Sequence, residues 1–80
     1  MPRIRATLTE REEEMARELR DFAGAGLLSL TDVAAYLGLT RQTAAKWLRD
    51  VDALAVGGSL RYQAADLARK IEAGRRRALP

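Results

Sequence analysis

Eighty residues with fourteen Lys or Arg against eleven Asp or Glu make a small chain of net charge +3. At 48% hydrophobic and only 5% aromatic residues, its core must be built mainly from Leu, Val, Ile and Ala. The chain has no Cys and no His, which excludes disulfides, thiolate nucleophiles and Cys-based metal sites and removes the commonest general base.

Binding without catalysis is therefore expected, with no cofactor and no metal. No apolar run approaches the roughly 20 residues that cross a bilayer, and the start carries no signal-peptide pattern, so a cytoplasmic protein without a membrane partner is expected. The charge is unevenly spread. Residues 1–23 hold five Arg against six acids, a net of −1, and residues 24–80 hold nine Arg or Lys against five acids, a net of +4. A basic body points toward polyanions, chiefly nucleic acid, although an ordinary basic surface would carry the same sum.

Met1 to Ala6 read as a flexible arm. Thr9 followed three residues later by Glu12 is a capping-box signature, and the acids of the next turn suit a helix N-terminus. Met15, Leu19, Phe22 and Ala23 recur at the spacing of one helical face, and Gly24 and Gly26 supply a stop. A helix over residues 10–23 is predicted. Residues 1–26 thus form an arm and an amphipathic helix, whose acidic outer side could pack on a recombinase or on another copy of the chain.

Ser29 and Asp32 repeat the capping-box spacing, and Leu30, Val33, Ala34 and Leu37 give the next helix its apolar stripe. Gly38 stops it, and Thr40 caps a third helix over about residues 41–50. Two helices joined only by Gly38, Leu39 and Thr40 must turn sharply, which Gly permits. The pattern is that of a helix-turn-helix, with a generic helical hairpin as the plainer alternative. Small Ala34 before the turn, Leu39 within it, and Ala44 and Trp47 after it supply buried contacts in the order such motifs use.

At 100° per residue, Ala44, Trp47, Leu48 and Val51 share one stripe, and Gln42, Ala45, Lys46 and Arg49 share the opposite one. The second stripe has the chemistry of a major-groove reader: Lys or Arg for guanine edges and phosphates, Gln for adenine, and a small Ala for close approach. Lys46, Arg49, Gln42 and Thr43 are expected to face bases or phosphates, with Thr40 and Arg41 holding the backbone. A merely solvated helix face is the alternative.

Leu54 to Tyr62 reads as two short strands around Gly57, Gly58 and Ser59. A three-residue loop would pair Val56 with Leu60 and Leu54 with Tyr62, placing all four on one face, and that register is predicted. A hairpin beside a recognition helix is a wing, whose Ser59 and Arg61 could reach a phosphate or the minor groove. Covering the core edge is its plainer role. Ala64, Leu67, Ala68 and Ile71 then mark a helix from about Ala64 to Ala73, stopped by Gly74. Residues 75–80 follow as a tail in which Arg75, Arg76 and Arg77 add phosphate affinity or only solvate the end.

The succession of a capped helix, "TDVAAYLGLTRQTAAKWL", a Gly-rich hairpin and "RYQAADLARKI" resembles the excisionase and MerR-like winged helix-turn-helix family. The resemblance covers residues 27–74 and rests on Arg61, Tyr62, Asp66 and Leu67 as well as on the helix pair. It implies a mainly α domain with a small β-hairpin wing that binds DNA. It also implies a protein that bends DNA and biases a site-specific recombinase (integrase) toward excision. MerR-type activators continue into a long dimerising helix, and the chain's length points instead to the excisionase-like branch. A small transcription regulator and a protein-interaction module using the first helix are the alternatives, and self-association on DNA is compatible with each. Asp50 and Asp52 depart from a uniformly basic surface between the recognition helix and the wing.

Overall fold

The computed structural model describes residues 8–78, with the side chains of residues 76–78 outside that description. The predicted arm at Met1–Ala6 and the final two residues lie outside it too.

Three of the helices begin where the predicted caps stand. In α1 (Glu10–Ala23) the Thr9 Oγ1 accepts from the Glu12 amide at 3.1 Å and Glu12 Oε1 accepts from the Thr9 amide at 3.0 Å. Gly24 closes the helix in the left-handed conformation, at φ 74°, which its lack of a Cβ makes inexpensive. Ser29 and Asp32 make the same reciprocal pair ahead of α2 (Leu30–Leu37), and Gly38 ends it at φ 71°. Thr40 caps α3 (Arg41–Trp47), accepting from the Thr43 amide at 3.1 Å.

α3 is shorter than the predicted 41–50. After Trp47 the chain tightens into turns, with the Arg49 amide donating to the Lys46 carbonyl and the Val51 amide to the Leu48 carbonyl. Asp50 and Asp52 lie where the negative end of the helix dipole disfavours acid, and Asp is a weak helix former. α4 (Ala64–Ala78) errs in the other direction. It runs through Gly74 rather than stopping there, so Arg75–Arg77 are helical and not a free tail. The Glu72–Arg75 ion pair at 3.1 Å spans the glycine, and Arg is a good helix former on its far side.

The sheet is antiparallel and three-stranded, in the order β1-β3-β2. β1 (Leu27–Leu28) was not foreseen, because two residues carry no periodicity. It pairs with β3 (Ser59–Gln63), placing Leu28 opposite Tyr62. β2 (Ala53–Val56) forms the hairpin with β3 in a register that corrects the predicted one. Val56 faces Ser59, Ala55 faces Leu60, Leu54 faces Arg61 and Ala53 faces Tyr62. Gly57 and Gly58 alone make the turn, at φ 58° and 84°. Two successive positive-φ residues suit the right-handed twist of the strands. The predicted register assumed one buried face, whereas residues 53–60 are exposed on both. Turn geometry therefore decides the pairing.

One core joins all the layers. Ala16 and Leu19 of α1, Leu28 of β1, Val33 of α2, Leu48, Tyr62 of β3, and Ala64, Leu67 and Ala68 of α4 form a single buried cluster. The buried stripe of α1 therefore runs through Glu12, Ala16, Leu19 and Ala23. Phe22, predicted to share it, is instead 51% exposed and packs edge-to-face with the Tyr36 ring, at 5.2 Å between centroids. Because Ala16, Ala64 and Ala68 are small, α1 and α4 can pack closely along this seam. Among the described residues no helix is long and apolar enough to cross a membrane.

Candidate nucleic-acid interface

α2 and α3 are held across Gly38–Thr40 by the burial of Val33 and Ala34 on one side and Ala44 and Leu48 on the other. Leu39 closes the turn by donating its amide to the Ala34 carbonyl at 2.9 Å. The apolar stripe expected for α3 is indeed turned inward, with Ala44 fully buried and Trp47 and Val51 packed against the core. Gln42, Thr43, Ala45 and Lys46 are left exposed on its outer side, and Arg49 is exposed in the turn that follows. Arg49 is thus presented by a tight turn rather than by the helix.

α3 has no acidic residue. Among the described residues Arg41, Lys46, Arg49 and Arg61 take part in no ion pair, whereas Arg69, Lys70 and Arg75 of α4 face Asp66, Asp50 and Glu72. Cations without a protein counterion keep their full field for an outside anion. The two acids that interrupt the basic surface are drawn to one side. Asp50 and Asp52 line an open groove of about 620 Å³ against α4, together with Trp47, Asp66, Arg69 and Lys70. Lys70 takes Asp50 at 2.7 Å and sits 5.0 Å from the Trp47 ring centroid.

A second groove, of about 330 Å³, brings Arg41 together with Ser59 and Arg61 of the hairpin. The hairpin therefore lies beside the N-terminal end of α3. Thr31, which sequence reasoning passed over, also lines this groove, and its hydroxyl accepts from Arg41 Nη1 at 3.1 Å. The two residues lie ten apart and meet only because the turn folds α3 back on α2, so no local pattern could have announced the contact. Arg61 is half-buried and Ser59 exposed.

Thr40 and Thr43 act on each other. The Thr40 hydroxyl donates to Thr43 Oγ1 at 3.0 Å while accepting the Thr43 amide. With that acceptor filled, the Thr43 hydroxyl still has its own proton to donate outward. Of the eight predicted contact residues, three share the groove, two form this hydroxyl pair, and Gln42, Lys46 and Arg49 complete the exposed outer side. The side chains of Arg76 and Arg77, a further predicted source of phosphate affinity, lie outside the described residues.

No family model, curated protein or solved structure matches the chain.

Proposed function

We propose that this protein binds duplex DNA sequence-specifically and without catalysis, as a winged helix-turn-helix domain. α3 enters the major groove and the β2–β3 hairpin lies alongside as the wing. Lys46, Arg49, Gln42 and Thr43 face bases or adjacent phosphates, while Arg41, Thr40, Ser59 and Arg61 hold the sugar–phosphate backbone. The observation that carries this reading is the acid-free outer side of α3, whose cations have no ion-pair partner among the described residues.

The biological role that fits such a binder is that of an excisionase-like recombination directionality factor in the cytoplasm, with a site-specific recombinase as its protein partner. A small transcription regulator would use the same surface. A module that binds partners chiefly through α1 is less well supported, because the apolar stripe of that helix is spent in the core. What α1 leaves for a partner is its acidic outer side and the half-exposed Phe22.

Fluorescence anisotropy with a pool of random duplex DNA, titrated with salt, tests the reading. The parent chain should bind with a steep salt dependence and Lys46→Ala/Arg49→Ala should bind far more weakly. Absence of binding at low salt would remove DNA as the target.

A further inference from the structure

The β2–β3 ribbon beyond the core carries Leu54, Val56 and Leu60 at 42%, 49% and 55% exposure, an apolar surface that no other element covers. β2 is an edge of the sheet. In a two-residue hairpin the residues flanking the turn exchange hydrogen bonds and the pattern then alternates. The register of Val56 with Ser59 therefore points the N–H and C=O groups of Val56 and Leu54 at β3. Those of Ala53 and Ala55 point outward, and among the described residues nothing pairs with them. Residues 53–60 carry neither the charge nor the Pro that often guards a free edge.

We propose that β2 is a homodimerisation edge, pairing antiparallel with β2 of a second copy of this chain about a two-fold axis through Ala55. Two requirements narrow the register. The same faces of the two sheets must be continuous, so opposed residues must have the same parity. The outward groups of Ala55 must also find an equivalent pair. Ala55 opposite Ala53 of the second copy meets both but sets Val56 against Asp52. Ala55 opposite Ala55 also meets both, keeps Val56 against Leu54 and creates two hydrogen bonds across the axis. Leu54 then lies opposite Val56 of the second copy, and Val56 opposite its Leu54, so four apolar side chains meet on one face. On the other face the two Ala55 side chains lie between the two Leu60 side chains.

Self-pairing therefore sets apolar side chains of the two copies beside one another on both faces, and it brings no like charges together along the strand. A charged partner would find no complementary charge on the strand, and a helix could not satisfy the edge amides. This strand itself fits both the hydrogen bonding and the side chains. The interface is small and centred on one strand, so the dimer is concentration-dependent. This inference stands apart from DNA binding and holds or fails without it.

Sedimentation of the full chain over a range of concentrations, with Ala55→Pro and Ala55→Lys beside the parent, tests it. Pro removes an outward amide without touching the β2–β3 ladder, and Lys sets two like charges opposite each other. The parent should dimerise, and each variant should weaken the dimer by at least about tenfold while keeping its helical circular dichroism. If Ala55→Pro fails to fold, Ala55→Lys decides.

Because the chain has no Cys, Ala55→Cys should cross-link to itself on mild oxidation. Its Cα atoms would lie about 5.5 Å apart, within disulfide reach. Ser59→Cys, a strand away from the axis, should not cross-link. A parent that stays monomeric, or a dimer that Ala55→Lys leaves intact, overturns the proposal. Assembly seen only on duplex DNA and indifferent to both variants also overturns it and assigns the ribbon to DNA.

Discussion

Lys70 holds its ammonium 2.7 Å from the Asp50 carboxylate and 5.0 Å from the centre of the Trp47 ring, tying α4 to the turn that follows α3. Asp50 adjoins Arg49, so Lys70 offsets an acid that would otherwise weaken the field at the proposed DNA surface. The Asp50 side chain is largely exposed, and an ion pair of this kind contributes less than about 1 kcal/mol to stability. Its greater effect is on the field. Lys70→Met should weaken DNA binding about two- to fivefold at low salt, with the difference shrinking as salt is added. Lys70→Met/Asp50→Asn should recover most of the loss. A double variant as weak as the single one would mean that Lys70 touches DNA itself.

The Thr31–Arg41 contact separates positioning from charge. Thr31→Val removes the hydroxyl that accepts from Arg41 but leaves the cation, so affinity should fall about two- to fivefold with the salt slope unchanged. Arg41→Ala should cost more and reduce the slope by about one. Anisotropy titrations of both variants against salt distinguish the two effects.

Tyr36 gives the fold a dependence on alkaline pH. Its hydroxyl donates to Glu18 at 3.0 Å, and desolvation by burial, followed by the hydrogen bond and the charge of Glu18, raises its pKa above the ordinary value near 10. The raised value favours the neutral phenol in the folded state. The linked stability is therefore present in full below pH 10 and is lost as the pH climbs through the folded pKa. Chemical denaturation at rising alkaline pH should show a shallower decline for Tyr36→Phe than for the parent. An identical decline would remove Tyr36 as the cause.

Two substitutions in or beside α1, away from the proposed interface, test its place in the core. Leu19 is 1% exposed, and Leu19→Ala should cost about 2–5 kcal/mol, a large share of the stability of so small a domain. Thr9→Ala breaks only the capping box and should cost about 1 kcal/mol, lowering the Tm by roughly 4–8 °C. Thermal melts measure both. If Leu19→Ala behaved like a surface change, α1 would be an appendage rather than part of the core.

What was legible in the sequence was local. Thr9, Ser29 and Thr40 act on amides three residues ahead, and Gly24 and Gly38 act on the turn they occupy, so each signal and its effect share one short window. The mainly helical architecture follows from these. Part of what escaped depended on partners far along the chain. The exposure of Phe22 depends on how α1 meets α2, and the contact of Thr31 with Arg41 on the turn between helices. The hairpin register departs from the apolar pattern because that pattern implies a buried face, which this ribbon lacks. Glu72 was unremarkable as one acid in a basic helix, yet it is 3% exposed and held by Arg75 at 3.1 Å and Arg11 at 3.8 Å. The exposure of Gln42, Thr43, Ala45 and Lys46 was legible, because the outer side of α3 follows from helical periodicity alone.

The seam between α1 and α4 governs how the molecule comes apart. Arg11 and Glu72 meet across it, so the loop their contact closes contains α2, α3 and the whole sheet. Closing so long a loop costs entropy that short-range contacts do not recover, and nearly everything else must be ordered before the seam gains its packing energy. The helix pair and hairpin are thus enclosed by the two helices that seal the core, and they should melt with that seam in a single transition. Anyone transplanting the proposed DNA-binding surface into another protein would have to carry both flanking helices with it.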